Sequence, residues 1–317
     1  MRAVFLDLDG LDDLDLSPLE QSADSFQSYM KTTPEQVAER IVDADVVIVN
    51  KVVLSAELLR NAPSIKAVCV AATGTNNVDL EAALKLGIKV YNCQGYGTSS
   101  VVQHTISMML ALHTRLIDYQ QAATDGKWQR SSMFCLLDYP IQELAGKTLG
   151  IVGFGALGQG VAKIAEAFGM KVLVAQRPGG ALAAGRVSLE ELLPQVDVLS
   201  LHCPLTAETE NLINAEQLSL MKPGAFLVNA ARGGIVNEVA LRDVLVSGHL
   251  GGAATDVLSV EPPKEGNVLL DPSIPNLIVT PHCAWGSKEA RQTIVQQTAE
   301  NISNHFSDAS NAARRVC

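Results

Sequence analysis

Short apolar runs rich in β-branched residues alternate along the chain with longer segments whose apolar positions recur at helical spacing. In the first part the runs are Val4 to Leu6, Asp45 to Asn50, Ile65 to Ala72 and Ile88 to Asn92. A second series starts after Lys147, with Thr148 to Val152, Lys171 to Ala175, Asp197 to Cys203, Ala225 to Ala230, Gly252 to Val257 and Leu277 to Thr280. Strand and helix patterns in alternation predict parallel sheets covered by helices, an α/β fold with two successive units. Between the two series, Thr98-Ser99-Ser100 reads as a helix cap and Val101 to Leu116 as a helix apolar nearly all round, which predicts burial. Its His104 and His113 have no partner nearby in sequence and read as packing or surface groups. Ser287 to Phe306 reads as a last helix.

One stretch of the second series carries more than a fold signal. Thr148 to Gly160 reads TLGIVGFGALGQG: a strand, a glycine-rich turn and the start of a helix, the pattern that binds a dinucleotide pyrophosphate. Gly153 suits the tight turn, Gly155 lets backbone approach a phosphate, and Gly158 lets helix pack on strand. The helix continues with an apolar stripe, Val161, Ile164, Ala165 and Phe168, expected to face the sheet.

Composition narrows the function classes. With 317 residues, two domains are the natural prior, and 47% hydrophobic content suffices for two cores. A net charge of -10 argues against a broadly basic surface for nucleic acid or membranes. The six cysteines (Cys69, Cys93, Cys135, Cys203, Cys283, Cys317) show no zinc-binding spacing and read as reduced thiols, with no metal expected. The acidic stretch with Asp9, Asp12, Asp13 and Asp15 lacks the pattern of a calcium loop and reads as a solvated loop. No signal-peptide pattern and no spanning apolar window is present, so the expected location is cytoplasmic.

Three polar residues follow the ends of late strands: Arg232 after VNAA, Glu261 in TDVLSVEPP and His282 after IVTP. In a parallel sheet these carboxyl ends share one edge, along which the reactive end of a cofactor lies. Hydride transfer between a nicotinamide and a 2-oxo acid needs a proton donor, a grip on the substrate carboxylate and a group that orients the donor. Imidazole, guanidinium and carboxylate suit those three tasks. In the first series, Asn50-Lys51 and the loop containing Thr73 and Gly74 also end strands, and read either as substrate contacts or as ordinary turns.

The turn GFGALG, the run LMKPGAFLVNAARGGIVNEVAL and the stretches GAATDVLSVEPP and TPHCAWGS together resemble the D-isomer-specific 2-hydroxyacid dehydrogenases over essentially the whole chain. Within that family ATGTNNVD, NKV and the Ala284-Trp285-Gly286 run look most like glycerate dehydrogenases, or hydroxypyruvate reductases. The resemblance implies two Rossmann-like doubly wound domains, with the cofactor domain (99–286) inserted into a discontinuous, flavodoxin-like substrate domain (1–98 and 287–317). It implies catalytic roles for Arg232, Glu261 and His282, and substrate binding by Lys51, Thr73 and Gly74. Cofactor contacts are implied for Gly153, Gly155, Ala156, Leu157, Gly158, Gln176, Arg177, Cys203, Pro204, Thr209, Ala230, Asp256 and Gly286, with Asp256 at the nicotinamide carboxamide. A small 2-oxo acid substrate follows, as does a homodimer with the long apolar helix in its interface. D-lactate dehydrogenase, phosphoglycerate dehydrogenase and a corepressor-like cofactor-sensing protein are the alternatives on the same scaffold.

One position departs from the NAD pattern. The strand ending at Ala175 is followed by Gln176-Arg177, where a carboxylate would otherwise meet the adenosine ribose. Loss of that carboxylate removes repulsion against a 2′-phosphate, and Arg177 can pair with one, so NADP(H) is expected to be accepted alongside NAD(H).

Overall fold

The computed structural model describes residues 1–177, 179–180, 183–307 and 314–317. They form two compact units, Met1–Gly97 with Gly286–Cys317, and Thr98–Trp285. Both are built on parallel sheets wound on either side of a switch point, the Rossmann-like α/β class.

In the first unit the strands are β1 (Arg2–Phe5), β2 (Ser25–Ser28), β3 (Val46–Val49), β4 (Ala67–Val70) and β5 (Lys89–Tyr91). Their order is β2-β1-β3-β4-β5, so the chain reverses its winding between β1 and β3. Every residue of β3 and β4 is buried, as the continuous apolar runs of a sheet covered on both faces require. β2 reads SFQS, lies at an edge and has no apolar run; it pairs in register with β1 from Arg2↔Ser25 to Phe5↔Ser28. The last helix, Lys288–Phe306, belongs to this unit, is capped by the Ser287 hydroxyl and buries Ile294, Val295 and Thr298. Its Arg291 forms an ion pair with Asp13 and donates to the Gly10 carbonyl at 2.8 Å. The acidic stretch is therefore tied down at Asp13 instead of being wholly solvated, and the guanidinium holds the Asp13 carboxyl below its usual range.

The second unit contains β6 (Thr148–Val152), β7 (Lys171–Val174), β8 (Val198–Leu201), β9 (Phe226–Asn229), β10 (Gly252–Thr255) and β11 (Leu277–Val279). Their order, β11-β10-β9-β8-β6-β7, puts the switch point between β6 and β8. The helix Thr98–Thr114 starts at Thr98, so Thr98 to Ser100 make its first turn and not its cap. It stops at Thr114 because Arg115 turns left-handed (φ 54°), and a separate helix, Leu116–Thr124, follows. Val102, Ile106, Met109 and Leu112 are buried in the core that also holds Val161 and Ala165 of the glycine-turn helix, Ala156–Ala167. A Cβ on Gly160 would stand 2.7 Å from a Val102 methyl, which sets how closely those helices meet. Of the expected stripe, Val161 and Ala165 are buried, Ile164 is half-buried and Phe168, just past the helix end, is exposed. Among the described residues no helix is long and apolar enough to cross a membrane.

Candidate active site

The glycine turn leaves β6 at the switch point. Gly153 has a left-handed φ of 93°, and a Cβ there would lie 2.5 Å from the backbone of both His202 and Cys203, which follow β8. A Cβ on Gly158 would lie 2.2 Å from the Gly153 carbonyl oxygen, so the helix can seat on the turn only through glycine. Gly155 is the N-cap, where a Cβ would meet nothing within 4 Å. No side chain caps this helix, whereas Ser188, Asn214 and Asn237 cap other helices of the unit. The amides at Ala156 and Leu157 are thereby presented to an anion in an open notch, which fits a dinucleotide pyrophosphate. Beside the turn, the His202 imidazole is kept neutral by burial, its pKa lowered to about 4, with Nε2 2.9 Å from the Ser200 hydroxyl.

Arg232, Glu261 and His282 follow the adjacent strands β9, β10 and β11. His282 Nδ1 lies 2.6 Å from Glu261 Oε2, and Glu261 Oε1 accepts the Leu258 amide at 2.8 Å. The carboxylate thus fixes the ring through Nδ1 and leaves Nε2 outside the pair. Arg232 sits on a turn whose next residue, Gly233, packs against the Leu258–Ser259 backbone; a Cβ there would overlap the Leu258 carbonyl at 1.8 Å. That contact joins the turn of Arg232 to the loop of Glu261. Asn229 shapes the same turn, accepting the Ala231 amide and donating to the Arg232 carbonyl at 3.1 and 3.0 Å. Glu238 anchors the Glu261 loop by accepting from the Ser259 amide and hydroxyl and from Asn267, at 2.7, 2.8 and 2.8 Å.

His282 itself adopts φ 51°, a left-handed conformation costly for a residue with a Cβ. Its amide donates to the Asp256 and Thr280 carbonyls at 2.8 and 3.0 Å. The buried Asp256 carboxylate accepts from the Thr280 hydroxyl (2.6 Å) and from the amides of Cys283 (3.0 Å) and Ala284 (2.9 Å). His104 of the long helix completes this support: its Nε2 is 3.0 Å from the Thr280 hydroxyl and 3.6 Å from Asp256. His104 is therefore a bridge to the histidine loop, not a packing or surface group, whereas His113 is buried against Phe226 with ring centroids 4.1 Å apart.

Residues 106–284 match the family model described as D-isomer specific 2-hydroxyacid dehydrogenase, NAD binding domain. The chain belongs to the D-isomer-specific 2-hydroxyacid dehydrogenases. It is 47% identical to the glycerate dehydrogenase of Methylorubrum extorquens over 279 residues, covering 87% of this chain and 88% of that protein. It is 40% identical to a hydroxypyruvate reductase of Blautia hydrogenotrophica, covering 92% and 91% respectively. Among solved structures it is similar to an acyclic imino acid reductase in complex with NADPH (27% identity, TM-score 0.84, coverage 100% and 99%). It is likewise similar to an NAD-dependent formate dehydrogenase from Staphylococcus aureus in complex with NAD (28% identity, TM-score 0.81, coverage 99% and 98%).

As an NAD(P)-dependent 2-hydroxyacid dehydrogenase, the chain places its other candidate residues as follows. Gln176 and Arg177 follow β7 after Ala175: the Gln176 carboxamide oxygen accepts the Ala183 amide at 2.9 Å, and Arg177 is exposed. The Glu208 carboxyl is held below its usual range by the Thr206 hydroxyl first, with the charge of Arg177 contributing. Arg186, which sequence reasoning passed over, donates to the Ala175 carbonyl at 3.2 Å and lies 5.1 Å from the Phe154 ring centroid, beside the glycine turn. Thr209 is buried, its hydroxyl bonded to the Pro204 carbonyl at 2.6 Å, and so shapes the loop after Cys203. Ala230 is buried at the end of β9. Gly286 groups with the first unit, its carbonyl accepting from Arg291 at 3.2 Å.

In the first unit of the dehydrogenase, Lys51 follows β3 and is exposed. Asp7, also passed over, lies two residues beyond β1 and accepts the amides of Asn50, Lys51 and Val52 at 2.7, 2.5 and 2.9 Å, giving this loop its shape. A cavity of about 660 Å³ opens here at the β1/β3 switch point, bordered by Asp7, Lys31, Asn50 and Lys51. Thr73 and Gly74 follow β4 and are exposed; the Thr73 hydroxyl donates to the Cys93 carbonyl at 2.9 Å.

Proposed function

We propose that this dehydrogenase reduces hydroxypyruvate to D-glycerate, with glyoxylate as a second substrate. The similarity to a glycerate dehydrogenase at 47% identity supports the substrate, and the His282–Glu261 pair carries the chemistry. When bound, the dihydronicotinamide supplies the hydride. The chain supplies the proton: His282, protonated and held through Nδ1 by Glu261, donates from Nε2 to the carbonyl oxygen as it becomes a hydroxyl. Arg232 holds the substrate's carboxylate and carbonyl oxygens with its planar fork. Glu261 orients the ring through its contact with Nδ1. Lys51, Thr73 and Gly74 are proposed as substrate-binding residues on the strength of the family resemblance.

For the cofactor, Gly153, Gly155 and Gly158 with the amides of Ala156 and Leu157 hold the pyrophosphate, and Asp256 faces the nicotinamide carboxamide. Cys203, Pro204, Thr209, Ala230 and Gly286 are proposed to line the cofactor. NADP(H) is accepted as well as NAD(H), because no carboxylate follows β7 and Arg177 is exposed where a 2′-phosphate would come. The protein acts in the cytoplasm as a homodimer. Leu116, Trp128, Phe134 and Leu137 support the dimer, being large apolar side chains left exposed in the segment after the long helix, Phe134 by 87%.

A panel of hydroxypyruvate, glyoxylate, pyruvate and phosphohydroxypyruvate, each with NADH and NADPH, tests this reading. The highest kcat/KM is expected for hydroxypyruvate, with measurable turnover on NADPH. A preference for pyruvate or the phosphorylated acid overturns the substrate, and negligible NADPH turnover overturns the role of Arg177.

A further inference from the structure

Beneath the histidine loop, three side chains from distant parts of the sequence converge in the second unit. His104 Nε2, Asp256 Oδ1 and Cys283 Sγ all lie within 4.8 Å of one another. The His104–Asp256 separation is 3.6 Å and the Cys283–Asp256 separation 3.7 Å. Zinc bonds of about 2.3 Å to sulfur and about 2.0–2.2 Å to nitrogen or oxygen, in tetrahedral array, make edges of about 3.3–3.7 Å. Two of the three edges already have that length. Thiolate, imidazole and carboxylate together are the donors that borderline-soft cations select.

We propose that His104, Asp256 and Cys283 form a binding site for Zn²⁺, and that the bound metal switches the enzyme off. The site suits a reversible inhibitor better than a permanent structural ion. Asp256 is buried, but Cys283 is exposed, so a cation enters from solvent and a fourth position stays open to water. The thiol now donates to Asp256 Oδ1; the metal takes the place of that proton, which leaves to solvent. Thr280 donates to the same oxygen and contacts His104 Nε2, so its hydroxyl must turn away as the metal enters. His104 then carries its proton on Nδ1 and ligates through Nε2. Metal entry thus rearranges the supports that hold His282. The antagonism to cofactor rests on the proposed role of Asp256 at the nicotinamide, since one carboxylate cannot serve both. Sequence spacing hides the site because its members stand at 104, 256 and 283.

Cobalt titration of the full-length protein, previously treated with chelator, is the test, because a cobalt–thiolate bond has a charge-transfer absorption that other ligands do not produce. One Co²⁺ per chain with that band is expected, and Zn²⁺ should displace it and inhibit reversibly, activity returning with chelator. Cys283→Ser should abolish the band. His104→Asn should weaken binding by at least the roughly 10- to 100-fold that loss of an outer partner causes. Circular dichroism of both variants separates loss of a ligand from loss of fold. Absence of the band, or a band that survives Cys283→Ser, overturns the site. Cobalt that is not displaced by NADH overturns the antagonism and counts against Asp256 at the nicotinamide, while the band alone judges the metal site.

Discussion

In both units an aspartate that follows a strand gathers the backbone of a neighbouring loop, but only one of these loops is strained. Asp7, after β1, accepts three successive amides from Asn50 to Val52, none of which has a positive φ. Asp256, after β10, accepts two amides and a hydroxyl from a loop in which His282 stands at φ 51°. Holding a residue with a Cβ there costs about 1–3 kcal/mol, which charge-assisted hydrogen bonds of about 1.5–3 kcal/mol each can offset. Burial also pushes the Asp7 carboxyl up despite its amide partners, chiefly those of Lys51, Asn50 and Val52. The same device therefore shapes an unstrained loop in one unit and opposes strain at the proposed proton donor in the other.

The comparison breaks first at the histidine. His282→Gln should lower kcat by roughly 10²- to 10⁴-fold with cofactor affinity little changed. Turnover close to the parent's would remove the reason for the strain. Next come the two aspartates. Asp256→Ala should cost about 10²-fold in kcat, the scale of a small misplacement of a reacting group. Asp7→Ala should leave kcat within a few-fold and lower unfolding free energy by about 2 kcal/mol. Equal kcat losses in steady-state assays would mean that the two loops do the same work.

The smallest effect contrasts His282 with His202, the imidazole that burial holds neutral, with a pKa of about 4. The unfolded chain binds that proton from about pH 6.5 downwards and the folded chain does not, so stability falls as pH drops from about 6.5 to about 4 and levels off below. His202→Gln should flatten that slope in urea unfolding midpoints, leaving the parts due to His113 and His305, both also lowered by burial. An unchanged slope would place the acid sensitivity elsewhere.

Ten of the eleven strands among the described residues are legible as apolar runs because parallel sheets covered on both faces need them; β2 is not, since an edge strand such as SFQS pairs by backbone alone. The end of the long helix was hidden because it depends on one left-handed residue, Arg115, with no glycine to announce it. Arg232, Glu261 and His282 stand out in sequence as charged or titratable residues after strand ends. Their supports do not. Asn229, Gly233, Glu238 and His104 act through contacts that only the folded chain makes, such as the Gly233 approach to Leu258 and the link from His104 to Thr280, 176 residues away.

The return of the last helix to the first unit has a consequence for the order in which the chain acquires structure. Residues 98–285 are contiguous and can complete their sheet as soon as they leave the ribosome. The first unit is synthesised earlier yet closes later. Until residues 286–317 emerge, Asn92 lacks Asn301 and Arg314, Val90 lacks Cys317, and the loop at Asp13 lacks Arg291. Synthesis runs from the amino end, but native closure runs from the middle outwards, and a nascent chain waits longest with β1 to β5 incompletely covered.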